Sequence, residues 1–224
     1  MTFSIVARCA STSMFGVAVA SSSPAVAARC AYARAGVGAV ASQNVTDPRL
    51  GTRALDLMAL GASAPEAIAI VAATAPHAAW RQVTAVDAAG AAAIHSGPNA
   101  LGIWAEATGP DVACGGNLLA NDGVVQAMVD AFAASAAPLG DRLIGAMRAA
   151  LAAGGEAGPV HSAGLKLVRD VPWPVADLRV DWTEDCPIEA LAALWTRYEP
   201  QLDDYVTRAL DPGAAPSYGV PGDT

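Results

Sequence analysis

The sequence predicts an α+β protein in which two antiparallel sheets pack face to face with pairs of helices outside them. Three observations carry that reading. Strand-like segments come in hairpin blocks. Helix-like segments come in pairs. Strand and helix do not alternate one by one, as a parallel doubly wound sheet requires. The 224 residues are 54% hydrophobic and 15% charged, far from the signature of a disordered chain and enough for a sizeable core.

The first block opens at residues 2–9, where Thr2, Phe3, Ser4, Ile5 and Val6 alternate and are partly β-branched. Ala10-Ser11-Thr12-Ser13 is a polar turn, and residues 15–20 form the second arm of a hairpin that Ser21-Ser22-Ser23-Pro24 ends. Residues 36–41 read as a third strand leading into Ser42-Gln43-Asn44. Asp47-Pro48 opens a helix that carries Leu50, Leu55, Leu57, Met58 and Leu60 and stops at Gly61. Ser63, with Glu66 three residues later, is a capping box for its partner, which ends before Pro76.

A second β block follows. Residues 81–87 and 92–95 flank the turn Ala88-Ala89-Gly90. Short strands are expected at 103–107 and 111–115, with Gly115-Gly116-Asn117 breaking the pattern. Helices are expected at 122–136 and 139–153 on their apolar stripes. Strands return at 162–169 and 177–182, where Leu178, Val180 and Trp182 share one face. A last helix begins at Pro187 and kinks or restarts at Pro200. Residues 1–210 are read as one domain and 211–224 as a tail rich in Gly, Pro and Ser.

Composition excludes several classes. The formal charge is −8, opposite to that of a nonspecific nucleic-acid binder. No apolar stretch approaches the ~18–20 residues of a membrane span, so neither nucleic acid nor membrane is an expected partner. The N-terminus lacks a basic region and carries Arg8 where a signal peptide would be apolar, so a cytoplasmic location is expected. Cys9, Cys30, Cys114 and Cys186 form no CxxC pair and are read as small buried hydrophobes. His77, His95 and His161 show no helical metal spacing. Gly36-Val37-Gly38 lacks the third glycine and the following helix of a dinucleotide loop. No cofactor or metal is expected.

Several segments together carry a resemblance. They are residues 1–8, Phe15-Gly16-Val17-Ala18-Val19-Ala20-Ser21, residues 33–43 ending in Ala41-Ser42-Gln43, Arg81-Gln82 with Val86-Asp87, His95-Ser96-Gly97, Gly116-Asn117-Leu118-Leu119, Ser162-Ala163 and Asp177-Leu178-Arg179-Val180-Asp181. In this order they resemble the bacterial and archaeal family catalogued as domain of unknown function 1028, over residues 2 to about 210. The resemblance implies the N-terminal nucleophile (Ntn) hydrolase superfamily. It therefore implies a four-layer αββα sandwich and an amidohydrolase acting on a small-molecule amide.

That chemistry needs a Ser, Thr or Cys at the mature N-terminus, whose own α-amine acts as base. An α-amine titrates near ~8, so much of it is free at neutral pH. Thr2 meets the requirement once Met1 is removed, with no propeptide expected; Ser4 is a weaker candidate. Gly116 and Asn117 are the first candidates for holding the oxyanion, and Gln43 and Asn44 the second. Ser21 ends the strand expected to pair with the nucleophile strand, and its hydroxyl is expected near the Thr2 amine. Arg34 stands about as far from Thr2 as the supporting lysine of proteasome-type relatives, and is assigned to the catalytic group with Thr2, Ser21 and Asn117. Arg81 and His161 are candidate substrate contacts.

Two departures bear on substrate charge. Ser22 stands where many members have a basic residue, and Glu156-Ala157-Gly158-Pro159-Val160-His161 replaces an Asp- and Arg-rich loop. Two alternatives stay open: a non-catalytic binding or assembly module on the same fold, and a metal-assisted hydrolase using His95, His161, Asp87 and Glu156. The apolar last helix and the tail point to a homo-oligomer, a dimer or larger.

Overall fold

The structure is a computed structural model, and it describes residues 2–220. The chain opens with the hairpin β1 (Thr2–Arg8) and β2 (Phe15–Ser21). One turn of helix, α1 (Ala27–Cys30), leads into β3 (Ala31–Arg34) and β4 (Gly38–Asn44). The helix pair α2 (Arg49–Ala59) and α3 (Ala64–Thr74) follows, and the Ser63–Glu66 capping box is formed. Then come β5 (Arg81–Asp87), β6 (Ala92–Ser96), β7 (Ala105–Gly109) and β8 (Val112–Asn117). The second helix pair is α4 (Val124–Ala134) and α5 (Leu139–Ala152). The chain closes with β9 (Ser162–Val168), β10 (Ala176–Val180), α6 (Pro187–Tyr198) and α7 (Leu202–Leu210), the last two separated by a 3-10 turn around Pro200.

All strand pairs are antiparallel. The larger sheet runs β10-β9-β2-β1-β8-β7 and the smaller β3-β4-β5-β6. Alternation sorts each strand between two cores. Phe3, Ile5 and Ala7 of β1 face a core shared with α4, α5, α6 and α7. Val6, Val17 and Val19 face Ala39, Ala41 and Val86 of the smaller sheet. Val40, Val83 and Ala85 on that sheet's far side pack on α2 and α3. The order of layers is helices, sheet, sheet, helices, as the blocks of strands and pairs of helices predict.

Four expectations are corrected. Gly115-Gly116-Asn117 do not break the pattern; they continue β8 between β1 and β7. The strand expected at 36–41 is the fourth, β4, and begins at Gly38, because Gly36 is in a left-handed turn after β3. Trp182 lies beyond β10, exposed, instead of sharing its inner face. Cys30 and Cys114 are buried, but Cys9 is partly exposed and Cys186 exposed. The tail bends back on α7, where Arg208 donates to Pro216 O and covers the Tyr218 ring; positions 221–224 lie outside the described residues.

Gly115 explains why the glycines belong in a strand. A Cβ placed there would lie 2.9 Å from Thr84 Cγ2, across the gap between the sheets, and 3.6 Å from Gln43 Nε2. Thr84 is β-branched and buried, so it has little freedom to yield. Gly115→Ala is therefore expected to destabilise by about 1–3 kcal/mol through overpacking. Thermal unfolding checks this, and an unchanged melting temperature would mean that the sheets separate freely here.

Candidate active site

Thr2 begins β1, an interior strand of the larger sheet, so it is not an edge-strand residue. It lies on the face turned toward the smaller sheet and is 6% exposed. It is directly opposite Asn117 on β8 and level with Ser21 on β2, since Phe3 pairs with Ala20. Its hydroxyl donates to Ser21 Oγ over a long 3.4 Å. Ser21 Oγ is 2.7 Å from Ser23 Oγ and accepts the Ser23 N–H at 3.1 Å. Arg29 donates to Ser23 Oγ at 2.6 Å. A row of hydroxyls thus links Thr2 to a guanidinium.

The smaller sheet contributes two glutamines that pair across β4 and β5. Gln43 Nε2 donates to Gln82 Oε1 at 2.7 Å and to Gly115 O at 3.0 Å. Gln82 Nε2 donates to Gly116 O at 3.1 Å and Ser96 Oγ at 2.8 Å. Asn117 Nδ2 donates to Gln82 Oε1 at 3.1 Å. The backbone carbonyls of Gly115 and Gly116 only accept, and that fixes which way both glutamine amides face. Among the described residues, Asn117 Oδ1, Gln43 Oε1, Ser4 Oγ and Thr84 Oγ1 are buried without a hydrogen-bond partner. Most buried polar groups are paired, so four such atoms in one layer stand out.

Glu156 completes this end of the sheet. The segment around it is tied to the end of β8 by a Leu119–Glu156 bridge and by Ala157 N–H to Leu118 O at 2.9 Å. The Ser22 N–H donates to the two carboxylate oxygens at 3.3 and 3.2 Å. Ser22 follows directly on Ser21, which is level with Thr2, so the carboxylate lies at the same end of the sheet as Thr2. Burial raises its pKa to about 7, against the pull of the positive chain terminus, the Ser22 contacts and His161.

The structure brings together Thr2, Ser21, Asn117, Gln43 and Gly116. Gly116 O accepts from Gln82, and one Asn117 N–H goes to the same residue. Asn44 and Arg81 stand at the rim. Asn44, at φ 72°, donates to Trp80 O and accepts from the Leu101 N–H; Arg81 donates to Val45 O. His161 borders the site through its N–H to Ser21 O, but its ring stacks on Trp182 and its Nδ1–H donates to Thr183 O. Arg34 is not brought here. It pairs with Gly38 at the opposite end of β4 and forms an ion pair with Asp56 at 2.8 Å.

The metal alternative finds no cluster. Asp87 holds the Ala64, Ala89 and Ala91 N–H groups at the far end of β5, and His95 contacts Ala78 O. Among the described residues no three His, Cys, Asp or Glu side chains could hold a metal together. Sequence reasoning missed Gln82, Ser23, Arg29 and the placement of Glu156 beside Thr2. Gln82 carried a signal: a long polar side chain in phase with Thr84 and Val86 on one strand face.

Fold and site together define an α+β protein of two stacked antiparallel sheets, with a buried polar site around a strand-initial threonine. The chain belongs to the family of unknown function DUF1028, which it matches over residues 2–191. It is similar to the crystal structure of protein SPO2555 from Silicibacter pomeroyi, also of that family. The two are 31% identical over 88% of each chain, with a TM-score of 0.81. A looser likeness is to Anbu (ancestral beta-subunit) from Yersinia bercovieri, 10% identical over 91% of this chain and 96% of that one, with a TM-score of 0.37, too low to bear on function. No curated protein matches the chain. No helix among the described residues is long and apolar enough to cross a membrane.

Proposed function

We propose that this chain is an N-terminal-nucleophile amidohydrolase that cleaves a small-molecule amide through an acyl-enzyme on Thr2. The observation that carries the reading is the position of Thr2: first in an interior strand, buried, and ringed by Ser21, Asn117 and Glu156. Removal of Met1 turns the non-basic Thr2 amide nitrogen into an α-amine, which is largely free base near neutral pH. Thr2 Oγ1 attacks the amide carbon, and its proton passes to the α-amine. The C–N bond breaks and the leaving amine takes that proton. Water then adds to the ester, releasing the acid and restoring the hydroxyl.

A β-lactone tests this directly. The Thr2 hydroxyl opens the ring to an ester, so peptide mass spectrometry of Met1-trimmed protein is expected to find the added mass on the peptide beginning at Thr2. The same protein retaining Met1 is expected to stay unlabelled. Equal labelling of both forms, or labelling elsewhere, would remove the N-terminal amine from the mechanism.

A further inference from the structure

The polar groups around Thr2 are unbalanced. Asn117 and Gln43 are 1% and 0% exposed; Gln43 gives two N–H bonds and Asn117 one inside the protein, while among the described residues the carbonyl oxygen of each has no partner. Glu156 is 5% exposed and accepts from the Ser22 N–H, and among the described residues no cationic side chain forms an ion pair with it. The neighbouring cations are engaged elsewhere. Arg29 donates to Pro24 O at 2.5 Å, Ala25 O at 3.1 Å and Ser23 Oγ, Arg81 donates to Val45 O, and Arg34 is with Asp56. The site therefore presents surplus acceptors and a carboxylate. A substrate carboxylate would bring more of the same, whereas a group with several N–H donors and positive charge would satisfy what is open.

We infer that the amide taken here bears a primary ammonium on the carbon next to the scissile carbonyl, an α-amino amide, whose N–H groups go to Asn117 Oδ1 and the Glu156 carboxylate. The inference rests on the proposed reaction only for where the carbonyl sits. Side chains opposite each other in an antiparallel pair have Cβ atoms about 4.5–5.5 Å apart, which puts Asn117 within reach of a group next to the attacked carbon. Glu156 is held by the N–H of Ser22, the residue after the Ser21 that stands level with Thr2. An ammonium also adds to the positive charge that the chain terminus and His161 already turn on the buried Glu156, with which no cationic side chain among the described residues forms an ion pair.

Binding to Met1-trimmed Thr2→Ala protein separates this from catalysis. Three probes are titrated by calorimetry: alaninamide, its neutral isostere lactamide, and the anionic succinamate. Alaninamide is expected to bind at least about tenfold more tightly than lactamide, and succinamate more weakly than both. Glu156→Gln and, independently, Asn117→Ala are each expected to shrink the ratio of alaninamide to lactamide affinity. Equal binding of alaninamide and lactamide, no binding of alaninamide, or a preference untouched by both substitutions would overturn the inference. A preserved preference without any lactone adduct on the parent would overturn the hydrolase reading instead.

Discussion

Replacing Thr2 by alanine is expected to abolish β-lactone labelling and to lower amide turnover by at least ~10³-fold, because no other group nearby combines a hydroxyl with a free amine. The fold should tolerate the change. The Thr2 hydroxyl reaches Ser21 over a long 3.4 Å, a weak contact to lose, so the melting temperature should move little. Thr2→Ser keeps hydroxyl and amine on one residue and should retain labelling within about one to two orders of magnitude. Retained Met1 should be as silent as Thr2→Ala, although its hydroxyl is intact, because the nitrogen beside it is then an amide. The pair of results separates the two halves of the proposed device. Loss in Thr2→Ala alone would leave an ordinary threonine nucleophile with its base elsewhere. Labelling that survives in Thr2→Ala would move the chemistry to another side chain, and Ser4, buried on the same strand face, would be examined first.

The layers were legible because they depend on local pattern. Alternation in residues 2–6, the Ser63–Glu66 capping box and the proline-led helix at Pro187 each signal an element without reference to distant residues. The site was only half legible because it is built by register between segments far apart in sequence. Periodicity says that Gln82 shares a face with Thr84, but not that Gln43 lies opposite it or that Gly115 lets the two sheets close there. The Ser22–Glu156 contact spans 134 positions and hangs on a loop with no periodic pattern. Arg34 shows the converse error. Its distance from Thr2 along the chain matched an expected spacing, yet the β3–β4 hairpin carries it to the far end of the sheet. The glycines of β8 misled because low strand propensity is overridden where two sheets leave no room for a side chain.

Glu156→Gln is expected to make the protein more stable above neutral pH and to leave it unchanged in acid. Burial raises the carboxyl from its ordinary 4.5 to about 7. Between those values the folded chain holds a proton that the unfolded chain has lost, so the parent's stability falls as pH rises through this window and then levels off. Each pH unit between the two values costs the folded parent ~1.36 kcal/mol, so it should lie about 3 kcal/mol below Glu156→Gln at pH 8. At pH 4 both side chains are neutral and the two curves should meet. For a domain of this size the gap corresponds to roughly 6–12 °C in melting temperature. Gln keeps an oxygen for the Ser22 N–H, so the comparison isolates charge from packing. The gap should narrow in Met1-trimmed protein if the freed Thr2 amine becomes a counter-charge to this carboxylate. A destabilising buried acid beside a buried threonine is what a site shaped for chemistry, not for stability, would keep. A gap of constant size across the whole pH range would show instead that Glu156 titrates as an ordinary carboxylate and holds no proton at neutral pH.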